Sequence, residues 1–378
     1  MSVSLTLVLL VVLIALIFEY INGFHDTANS IATVVATKVL SPGQAVLLAA
    51  GTNLIGALWG TAVAKTIASG LVDTGVVAVT PQVLICALLG AIIWDLITWW
   101  WGLPSSSSHA LVGGLCGAAL AASHDNWSSI IWWQGGEHWW SGKGLLPKVI
   151  LPMFSSPFIG FIFGFTLMGL IFAVVSFIGG HKGPVQKFGR PRFLNAFFGK
   201  AQIISASAMG LSHGMNDAQK TMGIIALALA GATAAGTLDE LPDMLSFLRI
   251  AEDSSQGFEI ALWIKIVCAI VMAAGTAAGG WRIIKTLGHK MVKLHPVHGF
   301  AAESASATVI LAASHFGIPV STTHNISSAI MGVGAAKRFS AIRWTIVERM
   351  VWAWLLTIPV TAALAWLLVR LVQALGLD

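Results

Sequence analysis

The chain has 378 residues, of which 56% are hydrophobic and 10% charged, with a mean hydropathy of +0.83. An ordinary soluble domain is about one quarter charged, so these proportions exclude a soluble protein and define a polytopic membrane protein whose solvent is the lipid bilayer. The net charge of +5 does not call for nucleic acid, because the basic residues cluster in short loops between apolar runs, where topology explains them.

A crossing needs roughly 20 apolar residues, and apolar runs fall near 3–21, 44–68, 82–101, 105–122, 149–179, 201–213, 221–236, 260–280, 299–316, 320–336 and 344–375. The first has no basic residue before it and no small-residue cleavage site after it, so it reads as a retained segment and not a signal peptide. The run 201–213 covers only about 20 Å as a helix, which predicts a half-helix inside one interrupted span, 201–236. Cys86, Cys116 and Cys268 lie singly in apolar runs, with no spacing for a disulfide frame or a metal set.

Charge orients these runs. Lys182, Lys187, Arg190, Arg192 and Lys200, then Arg282, Lys285, Lys290 and Lys293, then Lys337, Arg338, Arg343 and Arg349 form three basic clusters, expected at the cytoplasmic face. The loop 239–259 has six acids and one Arg and belongs outside. Parity then makes 299–336 a hairpin with its tip near 317–321. It also puts the loop 123–147 outside, with Trp127, Trp132, Trp133, Trp139 and Trp140 as interface anchors.

Two motifs repeat in the same order. Gly23-Phe-His-Asp-Thr-Ala-Asn-Ser30 recurs as Gly214-Met-Asn-Asp-Ala-Gln-Lys-Thr221, offset by 191 residues, and Gly102-Leu-Pro-Ser-Ser-Ser-Ser-His109 recurs as Gly317-Ile-Pro-Val-Ser-Thr-Thr-His324, offset by 215. If the halves run in opposite directions, the connection near Ser41 is inside, that near Asp73 outside, and both termini extracytoplasmic. The expected fold is therefore an all-α polytopic membrane protein with two inverted-topology repeats, discontinuous or re-entrant helices and a midplane substrate site, the build of secondary transporters. Its division is a first repeat with its connecting span in 1–180, a basic cytoplasmic loop in 181–200, a second repeat in 201–343 and a C-terminal span in 344–378.

The repeated residues indicate the chemistry. After Pro104 and Pro319, the hydroxyl runs Ser106, Ser107, Ser108 and Ser321, Thr322, Thr323 look like the starts of half-helices. Free amides and a positive dipole end make such starts anion sites, and two facing each other would hold a tetrahedral oxyanion. Asp26 and Asp217 are ionisable groups at membrane depth, functional by default, fit to hold a small hard cation or carry a proton, although an Asp can also merely cap a broken helix. Lys220 shares a helical face with Asp217 and either neutralises it or meets the anion. Glu303 and Asp95 are further buried acids, Glu303 the stronger because small residues surround it. His25, His213, His109 and His324 titrate near neutral pH; His109 and His324 rank first as proton sites because they repeat.

The stretches NGFHDTANSIATV at 22–34, SHGMNDAQKTMGII at 212–225, GLPSSSSHALVGG at 102–114 and GIPVSTTHNISSAI at 317–330 resemble the PiT family of inorganic phosphate transporters, nearest the bacterial low-affinity Pit branch. Members of that branch are proton-coupled and can carry phosphate as a neutral metal complex; sodium-coupled relatives share the fold. The resemblance implies phosphate, with arsenate as its analogue, bound by the two hydroxyl runs and flanked by Asn29, Gln219 and Lys220. Asp26, Asp217, His25, Asn216 and Glu303 would serve the coupling cation. Where the family usually has Gly-Ala-Asn-Asp, this chain has Gly-Phe-His-Asp, and Asn53 stands where many sodium-coupled relatives have Glu; both departures lean toward protons. No cofactor, enzymatic activity or dedicated metal is expected beyond co-transported H+ or Na+ and a divalent metal complexed with phosphate. A homodimer in the cell's inner membrane fits the resemblance. Sodium coupling and sulfate transport on the same scaffold stay open as rivals, as do an anion channel and an enzyme acting on phosphorylated lipids.

Overall fold

Apolar segments in a bilayer must satisfy every backbone N–H and C=O internally, and the chain does so with helices. In a computed structural model the described residues are 3–138, 142–180, 190–239, 241–250, 252–253, 257–258 and 260–377. Among these, the only sheet is a two-residue ladder, Glu252–Asp253 with Gly257–Phe258. Trp139, Trp140, Lys182, Lys187, Glu240 and Glu259, given roles above, lie outside the described residues.

The first half comprises α1 (Val3–Ala36), α2 (Pro42–Ala57), α3 (Ala62–Ser69), α4 (Pro81–Trp101), α5 (Ser107–Ala122) and α6 (Leu151–Gly180). The second repeats the series as α7 (Pro191–Ala234), α8 (Leu262–Ala278), α9 (Trp281–Lys285), α10 (Pro296–His315), α11 (Thr322–Lys337) and α12 (Trp344–Ala374). Each half thus has a long helix, a bent pair, a hairpin and a second long helix. Among the described residues, four helices are long and apolar enough to cross a membrane, and each bent pair adds one more if counted as a span.

The halves are antiparallel. At one end, Asp73 N–H donates to the Ser129 carbonyl (2.9 Å) and Arg370 of α12 reaches Asp125 (2.6 Å); the start of α1 and the close of α7 meet there too, around one vestibule. At the opposite end, a second cavity gathers Ala36, His289, Lys293, His298, Lys337 and Arg343. The described basic clusters therefore share one end, and the close of α7, where the acidic loop begins, lies at the other. Hairpin α4–α5 enters from and returns to the acidic end; hairpin α10–α11 does the same from the basic end.

Both hairpin tips are built alike. Gly102 and Gly317 close α4 and α10 at φ of 65° and 63°, a left-handed turn open to glycine without strain. Pro104 and Pro319 follow, and Ser106 and Ser321 then cap the returning helices through the amides of His109 (3.3 Å) and His324 (3.1 Å).

Two expectations are corrected. The run 201–213 is not a half-helix, nor is 201–236 interrupted: α7 is one helix from Pro191 to Ala234, starting within the segment 181–200 read as loop, with Pro191 in its first turn. Gly214 breaks nothing; a Cβ there would lie 2.2 Å from the Asn53 carbonyl of α2, so its role is to let two backbones touch, the use of small residues in membrane interfaces. The breaks fall instead in the runs read as plain spans, at 71° between α2 and α3 and 57° between α8 and α9, where Gly60 and Gly279 take positive φ.

The halves interlock: α12 packs on α5, and α6 on α11. Gly117 of α5 sits so close to α12 that a Cβ would come within 2.1 Å of the Ala362 carbonyl, whereas one at Gly169 on α6 would meet nothing within 4 Å. Gly117→Val is expected to destabilise the protein by about 1–3 kcal/mol or more, seen as a lower melting temperature in detergent. Gly169→Val should stay within about 0.5 kcal/mol.

Candidate functional site

The first turns of α5 and α11 point toward each other from opposite ends and converge on Asp26 of α1 and Asp217 of α7. Ser107 Oγ donates to Asp26 Oδ2 (2.9 Å) and to Asn22 Oδ1 (2.7 Å), while Thr323 Oγ1 of the opposite hairpin donates to Asp26 Oδ1 (3.3 Å). Thr322 Oγ1 donates to Asp217 Oδ2 (2.8 Å). The Asn29 amide donates to Thr322 Oγ1 (3.2 Å) and Thr323 Oγ1 (2.9 Å). Lys220 joins the halves, its ammonium contacting Asp217, Ser108 of α5 and the Val320 carbonyl before α11. None of the residues in these contacts is more than 4% exposed, so the site is closed to water from both ends.

Because α1 and α7 run through without a break, Asp26 and Asp217 cap no helix, and the capping reading of them falls. Each instead pairs with an imidazole: His25 Nδ1 lies 2.8 Å from Asp26 Oδ1, and His213 Nε2 lies 3.0 Å from Asp217 Oδ2. Asp26, His213 and Asp217 can each present one ligand atom within 4.8 Å of the others, a mixed oxygen and nitrogen set suited to a divalent cation. His213 is held by Asn53 Oδ1 (3.1 Å), and the Asn53 amide in turn donates to Thr276 (2.9 Å).

Other sequence candidates lie apart from this centre. Ser106 and Ser321 accept the capping amides with their hydroxyl oxygens, and the hydroxyls that reach Asp26 and Asp217 come from their neighbours Ser107, Thr322 and Thr323. Gln219 is turned away: its Oε1 accepts the Val63 amide (2.8 Å) and its Nε2 donates to the Trp59 carbonyl (3.2 Å), holding the bend between α2 and α3. Asn216 fastens the second hairpin through Ser314 (2.9 Å) and the Ile318 carbonyl (3.3 Å), as His25 Nε2 fastens the first through Thr98 (3.2 Å) and Ser105 (3.4 Å). The His that departs from the family pattern therefore keeps a hairpin-holding place. Glu303 lies toward the basic end, accepting from Thr33, Ser205 and Gln202. His109 and His324 meet edge to face behind the helix starts, ring centroids 4.8 Å apart, and His324 stacks on Trp354 at 4.3 Å. Asp95 faces His25 and Asp26 from α4.

Sequence reasoning missed Asn22 and Glu19, which continue the polar face of α1 beyond Asp26. A carboxylate inside an apolar run was the available signal for Glu19.

Opposed half-helix starts around paired acids, buried between two inverted halves, define a membrane transporter of the inverted-repeat class. The chain belongs to the phosphate transporter family, whose model matches residues 22–365. It is 43% identical over 97% of both chains to a probable low-affinity inorganic phosphate transporter of Rhizobium meliloti (strain 1021). It is 40% identical over 96% of both to one so named in Bacillus subtilis (strain 168). Its fold matches the solved structure of "the sodium-dependent phosphate transporter" with a TM-score of 0.77 and 23% identity, covering 98% of this chain and 99% of that one.

The two kinds of hydroxyl can be told apart. Ser106→Ala removes a cap and is expected to lower stability by about 1 kcal/mol while phosphate affinity changes little. Ser107→Ala and Thr322→Val each remove a donor facing the centre and should weaken phosphate binding roughly tenfold or more, measured by calorimetry on detergent-purified protein.

Proposed function

We propose that this protein is a symporter that carries inorganic phosphate, and arsenate as its analogue, inward across the cell membrane together with protons. The observation that carries this reading is the convergence of two opposed helix starts, Ser107–Ser108 and Thr322–Thr323, on a pair of buried carboxylates. The helix ends and Lys220 supply positive potential and donors for phosphate oxygens. Asp26 and Asp217 supply acceptors. That combination suits phosphate, which keeps a proton to donate at neutral pH, and disfavours sulfate, which has none.

Charge makes coupling obligatory. The centre sets two carboxyl groups against one amino group, so it offers no surplus positive charge to an incoming anion. A phosphate adds one or two negative charges, and uncompensated charge at this depth costs several kcal/mol. Cations must therefore enter with the anion. Protons suit the site because each central carboxylate lies within 3.0 Å of an imidazole nitrogen, of His25 or His213, while Asn53 adds no further negative charge. The Asp26, His213 and Asp217 cluster would also accept the metal of a metal–phosphate complex. Two equivalent half-sites fit a carrier and not an enzyme, which needs a nucleophile and base in one fixed relation.

The basic end faces the cytoplasm in this reading, leaving both termini extracytoplasmic. Asp26→Asn is expected to abolish coupled uptake, by about a hundredfold or more, while the protein stays folded. The assay is phosphate uptake into proteoliposomes with pH and sodium gradients imposed separately. Uptake driven by sodium at fixed pH would replace protons with sodium; sulfate outcompeting phosphate would overturn the substrate.

A further inference from the structure

Glu19 has no place in the mechanism above, yet it is fully buried in the bilayer-spanning part of α1. It lies two turns from Asp26, about 10 Å by helical rise. One carboxylate oxygen, Oε2, accepts the hydroxyl of Thr221 on α7. The other, Oε1, makes no hydrogen bond of good geometry, with the Asn22 amide beside it. Asn22 leads on to the centre, since it accepts from the same Ser107 hydroxyl that donates to Asp26.

Among the described residues, the groups facing Glu19 give its charge no partner of its own. From α7 come Asp217 and Lys220, but the ammonium of Lys220 is committed to Asp217 and Ser108. From α8 comes the thiol of Cys268. Helix α2 has no titratable residue, and Asp95 of α4 faces His25 and Asp26 instead. A buried carboxylate whose nearest donors are neutral, the Thr221 hydroxyl and the Asn22 amide, is costly as an anion.

Above Glu19 lies a vestibule of about 880 Å³ at the acidic end, lined by Val8 of α1, Leu84 of α4, Leu227 of α7 and Asp73 among others. Between vestibule and carboxylate stand Val11, Ala15, Phe18, Met222 and Ile225, all buried in one apolar cluster. On α1 this plug takes up the roughly three turns from Val8 to Glu19, and Glu19 is the first ionisable group on α1 below it.

We propose that Glu19 is the residue that takes up a coupling proton from the acidic-end vestibule and carries it, as the neutral acid, through the closed state. The step balances simply: the carboxylate accepts a proton from water while the acidic end is open, the O–H bond persists while both ends are shut, and the proton returns to water once the basic end opens. Neutral Glu19 removes one negative charge from the polar face of α1 that leads to the centre. This deepens the proton-coupled reading and rests on it.

The test separates carriage of phosphate from carriage of protons in proteoliposomes. Phosphate–phosphate exchange at equal pH needs no net proton release, whereas uptake driven by a pH gradient does. Glu19→Gln, which mimics the neutral acid, should keep exchange within about twofold of wild type, lose gradient-driven uptake at least about tenfold, and flatten its dependence on external pH. Glu19→Asp, which restores a titratable group, should recover gradient-driven uptake. Glu19→Gln with wild-type gradient-driven uptake overturns the proposal, as does equal loss of exchange and uptake in protein of unchanged melting temperature. If Glu19→Gln does not fold, Thr221→Val removes the hydroxyl donor and should move the pH midpoint of uptake by about one unit; an unmoved midpoint overturns it. Wild-type uptake indifferent to a pH gradient would instead remove proton coupling itself.

Discussion

Placing charge inside a bilayer governs this architecture. Two carboxylates come within 4.8 Å of one another in a region where a lone charge is costly, and the surrounding structure makes that arrangement tolerable. Hydroxyls from both hairpins, two imidazoles and one ammonium converge on the pair. Because the donors come from opposite hairpins, neither half can form the site alone, and the halves interlock through α5 with α12 and α6 with α11.

The same constraint explains the broken helices. Free amides at the starts of α5 and α11 are tolerated at membrane depth only because they face a polar centre and not lipid. The bends of the two helix pairs need similar support: Gln219 binds the amides that open α3 and the carbonyl that closes the preceding bend. The long helices α1 and α7, by contrast, stay unbroken, carry the acids, and use Gly23 and Gly214 to bring other helices against their backbones.

Much of this was legible in the sequence because the informative residues repeat. The Gly-x-Pro-hydroxyl motif has few alternative structures, and its two copies located both helix starts, with the second hairpin tip. The Asp motifs located the acids but misled about the backbone: a glycine in a membrane helix serves close approach as readily as a break, and only the neighbouring helix decides which. Gln219 was misassigned for a related reason, since a polar residue one position from Lys220 points some 100° away around the helix. Glu19 belongs to no repeat, so self-similarity passed over it, and Asn22 gains its place only once Ser107 is brought across from α5.

Arsenate offers the most direct test, because arsenic scatters anomalously and marks its own position in a diffraction experiment. In crystals grown with arsenate, the account predicts one strong anomalous peak between the starts of α5 and α11, with oxygens in hydrogen-bond reach of Ser107 or Ser108 on one side and Thr322 or Thr323 on the other. A peak touching only one hairpin, or lying in either end cavity with the centre empty under saturating arsenate, would contradict it.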